Sequence, residues 1–246
     1  MEIPSPELQF AEAPRPCSYL PEETASLEYR FYSGLSPGEL EELVRRGWRR
    51  FGTTVFRPAC QACRECVPLR VEVNRFQESK SQRRTRRKNA HIHVQLSPAT
   101  VSAAHVALYN TWHLDMTERR DWKEQATTSE EYWGGFLSGR FPSAWEMRYF
   151  REETLVGVGL IDLLPHSLSS IYFYHAPDWR PDGPGTFSML CEIDLARQRQ
   201  LEFVYLGYWI RDCQSMAYKN RFVPHELLRS RPKEQAEPDW QRVEFS

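Results

Sequence analysis

An α+β fold is predicted, with a mixed sheet and helices in the second half of the chain and a smaller cysteine-containing module before it. Three observations carry this. From residue 145 onward the pattern reads strand, strand, strand, helix, strand, and a strand–helix–strand crossover normally joins parallel neighbours, whereas tight connections join antiparallel ones. The first 95 residues instead hold short β-rich stretches, one well-capped helix, a CxxCxxC motif and a basic run. The 246 residues, 41% hydrophobic and 26% charged, suit one large or two small globular domains. The expected division is a cysteine-bearing, basic module over 1–95 and a second domain over 96–246.

Taken in order, residues 1–26 are Pro-rich, and Tyr19-Leu20-Pro21 reads as extended because the residue before Pro is pushed out of the helical region. Ser36-Pro37-Gly38-Glu39 opens a helix: Ser caps, Pro suits the first turn and Glu stands three residues after the cap. Leu40, Leu43 and Val44 form its apolar stripe, and Gly47 ends it. Short β-rich stretches follow at 53–56, 67–73 and 91–96, with the basic run between the last two read as a solvated loop or helix start beside a sheet. Ser97-Pro98 is expected to start a helix reaching about His113, and Thr128 with Glu131 to start a third. Strands are then expected at 145–150, 154–164 and 168–175, a helix at 185–200, and an aromatic strand at 203–210.

The formal net charge of -1 conceals a division. Residues 1–90 hold 16 Lys and Arg against 12 Asp and Glu, and the remainder 16 against 21. Lys80, Arg83, Arg84, Arg86, Arg87 and Lys88 fall within nine residues free of acids, so the near-neutral average does not exclude an anionic partner. No apolar run approaches the ~18 residues of a membrane span, and the opening MEIPSPELQFAEAPRP lacks the basic start and apolar stretch of a secretory signal. A cytoplasmic location is the expectation, without a membrane partner.

Cys60, Cys63 and Cys66 form CxxCxxC, with Cys17 upstream as a fourth thiol. Spacers of two residues can turn thiolates toward one point, as tetrahedral zinc or an iron–sulfur cluster requires, while a small apolar strand-edge knot is the competing reading. Arg180, Gly183 and Gly185 spell RxxGxG ahead of a helix, where backbone N–H groups suit phosphate, although Pro181 and Pro184 remove two donors. In 205–210, YLGYWI, a Gly among bulky residues marks a bulge or a close backbone approach.

The chain resembles the bacterial aminoacyl-tRNA-protein transferases, the aspartate/glutamate leucyltransferase branch, related to the arginyl-tRNA-protein transferases. The resemblance runs from Cys17-Ser18-Tyr19-Leu20-Pro21 through Trp48-Arg49-Arg50-Phe51-Gly52, the segment from Phe56 to Cys66, and Ser79-Lys80-Ser81-Gln82-Arg83-Arg84, and continues to Gly185-Thr186, the aromatic strand, Met216-Ala217-Tyr218-Lys219 and Phe222-Val223-Pro224-His225-Glu226. It departs from the family pattern at Asp182, where a cation is usual, and at His175-Ala176-Pro177. The resemblance implies a GNAT-like mixed sheet in the second domain and transfer of leucine, or arginine, from aminoacyl-tRNA to the α-amine of proteins beginning with Asp or Glu, in the N-degron pathway.

On this reading the transfer centre lies at the end of the aromatic strand, lined by Tyr208, Tyr218 and Lys219. Arg50, Arg57 and Arg70 are the candidates to hold the acceptor carboxylate, because a planar fork pairs two oxygens. The basic run, Lys80, Arg83, Arg84, Arg86, Arg87 and Lys88, is the candidate tRNA contact, and Cys17, Cys60, Cys63 and Cys66 are a candidate structural zinc or iron–sulfur site. Catalysis itself is expected to need no cofactor. Two rivals are a coenzyme A-dependent N-acetyltransferase, from RxxGxG, and a non-enzymatic zinc-knuckle RNA-binding protein, from CxxCxxC beside the basic run.

Overall fold

The structure, a computed structural model, describes residues 3–123 and 125–243. The N-terminal segment builds a four-stranded antiparallel sheet from β1 (Leu8–Ala11), β4 (Leu27–Phe31), β5 (Arg49–Phe51) and β6 (Thr54–Pro58), ordered β1-β4-β6-β5, with a small ladder of β2 (Arg15–Pro16) and β3 (Thr24–Ala25). Helix α1 (Pro37–Arg45) starts as its sequence predicts, with Ser36 and Glu39 closing a capping box. Its Glu41 is buried and accepts from the His166 and Ser167 side chains, which ties the helix to a turn more than 120 residues away.

The large sheet comprises β7 (Val67–Glu72), β8 (Ile92–Pro98), β9 (Ala144–Arg151), β10 (Thr154–Leu163), β11 (Ser167–His175), β12 (Phe203–Trp209), β13 (His225–Leu228) and β14 (Trp240–Val243). Its order is β14-β13-β7-β12-β11-β10-β9-β8, and its one parallel pair is β11 with β12, the pair joined by helix α5 (Pro184–Gln198). This is the expected mixed sheet. The division at residue 95 does not coincide with a break between sheets, since β7 sits between β12 and β13 and β8 forms an edge. Alternation in β7 explains its central place: Val67, Leu69 and Val71 enter the main core.

Helices cover both faces. The core under α5 includes Phe187, Leu190, Leu168 and Val204, whereas α3 (Ala103–Arg120), followed by the short α4 (Ser129–Tyr132), packs Leu108, Tyr109 and Trp112 against Val158, Leu160 and Tyr174. Gly157 is required on the α5 side, because a Cβ there would lie 2.6 Å from the buried Trp179 ring.

Two local expectations are corrected. Ser97 and Pro98 end β8, paired with Glu146 and Trp145, and the following helix starts only after Ser102, whose hydroxyl accepts from the His105 N–H. The basic run is a complete helix, α2 (Lys80–Lys88), because Ser79 and Gln82 form a second capping box. No helix among the described residues is long and apolar enough to cross a membrane.

Candidate active site

The parallel pairing of β11 and β12 covers only Ser167–Ser169 against Phe203–Tyr205. Past that point β12 carries a bulge at Leu206-Gly207, where Gly207 has φ +79°, a conformation that favours glycine. The opening is occupied from the side by Arg49 of β5, 3.5 Å from where a Gly207 Cβ would stand. Arg49 donates to the Ser169 hydroxyl at 3.0 Å and to the carbonyl oxygen of Ser170. A cavity of about 500 Å³ opens over this junction, a volume suited to a small organic ligand. Its walls are largely apolar, with Phe51, Phe56, Ile171, Phe173, Met189 and Leu206 among them, and Trp112 and Trp122 also line it.

Two buried basic groups, Arg49 and Lys219, line it, and a buried acid, Glu192, stands behind the lining residue Ser170. Lys219 donates to the carbonyl oxygen of Tyr208 at 3.0 Å, and burial, with Arg49 nearby, lowers its pKa to about 7. Glu192 of α5 accepts from the Ser170 hydroxyl at 3.1 Å, and its Oε2 has no hydrogen-bond partner among the described residues. Burial raises its pKa to about 7 against the opposing pull of Ser170, Arg49 and Lys219. Burial likewise lowers the pKa of Arg49 from its ordinary value. Neither Arg49 nor Lys219 forms an ion pair among the described residues. The site therefore holds two basic groups and one acid close together without direct pairing, in surroundings that screen charge poorly.

The structure gathers part of the predicted set. Tyr218 and Lys219 line the cavity, and the Tyr218 hydroxyl stands 3.8 Å from where a Gly185 Cβ would lie, so the start of α5 adjoins the transfer centre. Burial raises the Tyr218 pKa to about 12. Tyr208 also reaches the wall, but its hydroxyl donates to the carbonyl oxygen of Gly47 at 2.9 Å and holds the module to the sheet.

The predicted carboxylate-binding arginines are engaged elsewhere. Arg50 is paired with Asp162, Arg57 with Glu28 while stacking on Trp48, and Arg70 with Glu226 beside Phe203 and Trp240. Arg57 and Arg70 do not line the cavity. The residues facing the junction that sequence reasoning passed over are Ser170 and Glu192; an acid amid Met189, Leu190, Ile193 and Leu195 was the available signal for Glu192.

Cys17, Cys60, Cys63 and Cys66 line the same cavity. Burial, reinforced by the neighbouring thiols, raises the Cys66 pKa to about 12. Among the described residues no group of three or more His, Cys, Asp or Glu side chains is placed to hold a metal ion.

Helix α2 packs against α5, with Arg86 paired to Glu78 and Asp194 and Lys88 donating to the carbonyl oxygen of Pro181. Lys80, Arg83, Arg84 and Arg87 are exposed. In the RxxGxG turn, Arg180 is held by Asp115 of α3 and Pro184 occupies the first helical turn, so the turn lacks both the free guanidinium and one amide of a diphosphate cradle.

The chain matches the family described as arginine-tRNA-protein transferase, C terminus, over residues 104–229, and its N-terminal counterpart over residues 15–84. The aspartate/glutamate leucyltransferase of Campylobacter jejuni strain 81-176 is 36% identical over 223 residues, covering 91% of this chain and 93% of that protein. Proteins of the same name from Helicobacter hepaticus (33%, covering 95% and 97%) and Marinobacter nauticus (36%, covering 89% and 92%) are also similar. Among solved structures, FemX matches with a TM-score of 0.45 at 7% identity, covering 87% of this chain and 84% of that one. The chain thus belongs to the arginine-tRNA-protein transferase family and is an aminoacyl-tRNA-protein transferase.

Proposed function

We propose that this enzyme moves leucine from leucyl-tRNA to the α-amine of proteins beginning with Asp or Glu, marking them for degradation by an N-degron route. The observation that carries the reading is the chemistry of the cavity: apolar walls beside Arg49 and Lys219, with Glu23 the one acid among the described lining residues. Apolar walls suit a leucyl side chain, whereas an arginyl group would call for a carboxylate partner. The acceptor's acidic side chain finds its cation in Arg49, whose fork is free of acid partners among the described residues, in place of Arg50, Arg57 or Arg70.

The ester of aminoacyl-tRNA is already activated, so the reaction calls for no cofactor. Holding the amine against the ester carbonyl supplies several of the ~7 to 11 kcal/mol available from proximity. Exposed Lys80, Arg83, Arg84 and Arg87 on α2 are proposed to meet tRNA phosphates near the start of α5. An aminoacyl-tRNA donor also fits a cytoplasmic location.

The test is transfer of label from leucyl-tRNA or arginyl-tRNA to peptides starting with Asp, Glu, Asn or Arg. Leucine on the Asp and Glu peptides is expected. A preference for arginyl-tRNA, or equal labelling of the Asn peptide, overturns the corresponding half of the reading.

A further inference from the structure

The attacking group arrives in the wrong protonation state. A protein α-amine has an ordinary pKa near ~7.7 to 8.0 and is mostly ammonium at neutral pH, and an ammonium has no electron pair for the ester. The base of the cavity holds the complement. Ser170 lines the cavity, its hydroxyl donates to Glu192 Oε1 at 3.1 Å, and the second Glu192 oxygen has no partner among the described residues. Arg49 binds the Ser170 carbonyl oxygen and so fixes the strand at this residue.

We propose that Ser170 and Glu192 form a proton relay that neutralises the acceptor's α-ammonium. This rests on the acceptor reading above. The ammonium donates to the Ser170 Oγ and gives it one proton as the Ser170 hydroxyl proton passes to Glu192 Oε1. The freed nitrogen pair forms the C–N bond to the leucyl carbonyl carbon, the C–O bond to the tRNA ribose breaks, and the departing ribose oxygen takes the second amine proton. Glu192 then returns its proton to solvent through Ser170. The same cluster matches the whole acceptor residue: an acid behind a hydroxyl for the ammonium, and cations for the side-chain carboxylate.

Arg49 of β5, Tyr149 of β9, Ser170 of β11, and Tyr218 and Lys219 beyond β12 act on or sense Glu192, as does Cys191 on its own helix. Burial holds both tyrosines and Cys191 protonated through neutral pH, which leaves Glu192, with a pKa of about 7, and Lys219 as the groups that titrate there. Ionisation of Glu192 enables the relay as pH rises, whereas loss of the Lys219 proton acts in the opposite sense, so the two are separable by direction.

The experiment measures kcat for wild type, Glu192→Gln, Ser170→Ala and Ser170→Thr across pH, with an Asp-starting peptide and whichever aminoacyl-tRNA wild type accepts. Failure of the leucyl reading therefore shows in the donor used, and failure of the relay in the pH profile. Glu192→Gln and Ser170→Ala should each lose roughly tenfold at about pH 6.5, where only about 3 to 6% of an α-amine of ordinary pKa is neutral. The deficit should shrink to less than about twofold by about pH 8.5, where the amine arrives largely neutral, and Ser170→Thr should retain most activity. Should Glu192→Gln fail to fold, the two Ser170 variants decide the matter alone. A deficit of the same size at every pH, or Thr no better than Ala at position 170, overturns the relay.

Discussion

Arg50 and Asp162 form a two-pronged ion pair in which each side chain is about 1% exposed, with contacts of 2.7 and 3.1 Å. The pair joins β5 of the small sheet to β10 of the large one, Ser143 donates a further bond to Asp162, and the guanidinium lies over the Phe141 ring. Removing one partner strands a buried charge. Arg50→Ala or Asp162→Ala should each cost about 3 to 5 kcal/mol in urea unfolding, and replacing both by apolar residues should recover much of the loss.

Arg49 should behave differently from its neighbour. Arg49→Lys removes the planar fork and should lower kcat/KM for an Asp-starting peptide by about 2 to 5 kcal/mol while changing that for an Asn-starting peptide far less. Leucyl-tRNA affinity should be nearly intact. Equal losses on both peptides would assign Arg49 to strand positioning only.

Salt dependence separates the two roles of α2. Arg84→Ala with Arg87→Ala should weaken tRNA binding and flatten its salt slope by about one unit per charge. Arg86 is instead paired with Glu78 and Asp194, so Arg86→Ala should cost up to about 1 kcal/mol in stability. An unchanged slope in the double variant would remove α2 from the tRNA surface.

The tyrosines of the transfer centre should divide as well. Tyr208→Phe abandons a buried bond to the Gly47 carbonyl and should lower stability by about 1 to 3 kcal/mol with little effect on turnover. Tyr218→Phe should lower turnover more than the melting temperature, read by parallel assay and calorimetry.

Stability should dip near neutral pH. The Glu192 pKa is raised from 4.5 to about 7, so its contribution is fully present below the unfolded value and is lost as pH rises to about 7, on the order of 3 kcal/mol. The Lys219 pKa is lowered from 10.5 to about 7, so its contribution is present above the unfolded value and is lost as pH falls to about 7. Glu192→Gln should flatten the acid side of this dip and Lys219→Met the alkaline side, as followed by unfolding across pH. A wild-type profile that is flat through neutrality would remove both assignments.

Local signals carried much of the fold. Ser36 with Glu39 and Thr128 with Glu131 mark helix starts that the structure keeps, because a capping box is settled within four residues. Long-range partners left no such trace. Arg50 meets Asp162 and Arg70 meets Glu226, separated by 112 and 156 residues, and nothing beside either arginine distinguishes a buried pair from a substrate contact. Ser97-Pro98 shows the same limit: its local pattern suits a helix start, but pairing with β9 holds it in a strand and passes the cap to Ser102. Ser170 sits in a strand of ordinary appearance, and only the parting of β11 from β12 exposes it.

The place of β7 has a consequence in time. Its neighbour β12 begins at Phe203, 136 residues after Val67, which is on the order of ten seconds of synthesis. Through that interval a strand carrying Val67, Leu69 and Val71 waits without either sheet neighbour, since β13 emerges later still. The nascent chain thus offers a chaperone an apolar segment long before the catalytic half exists, and a fragment starting after residue 95 would lack the strand that separates β12 from β13.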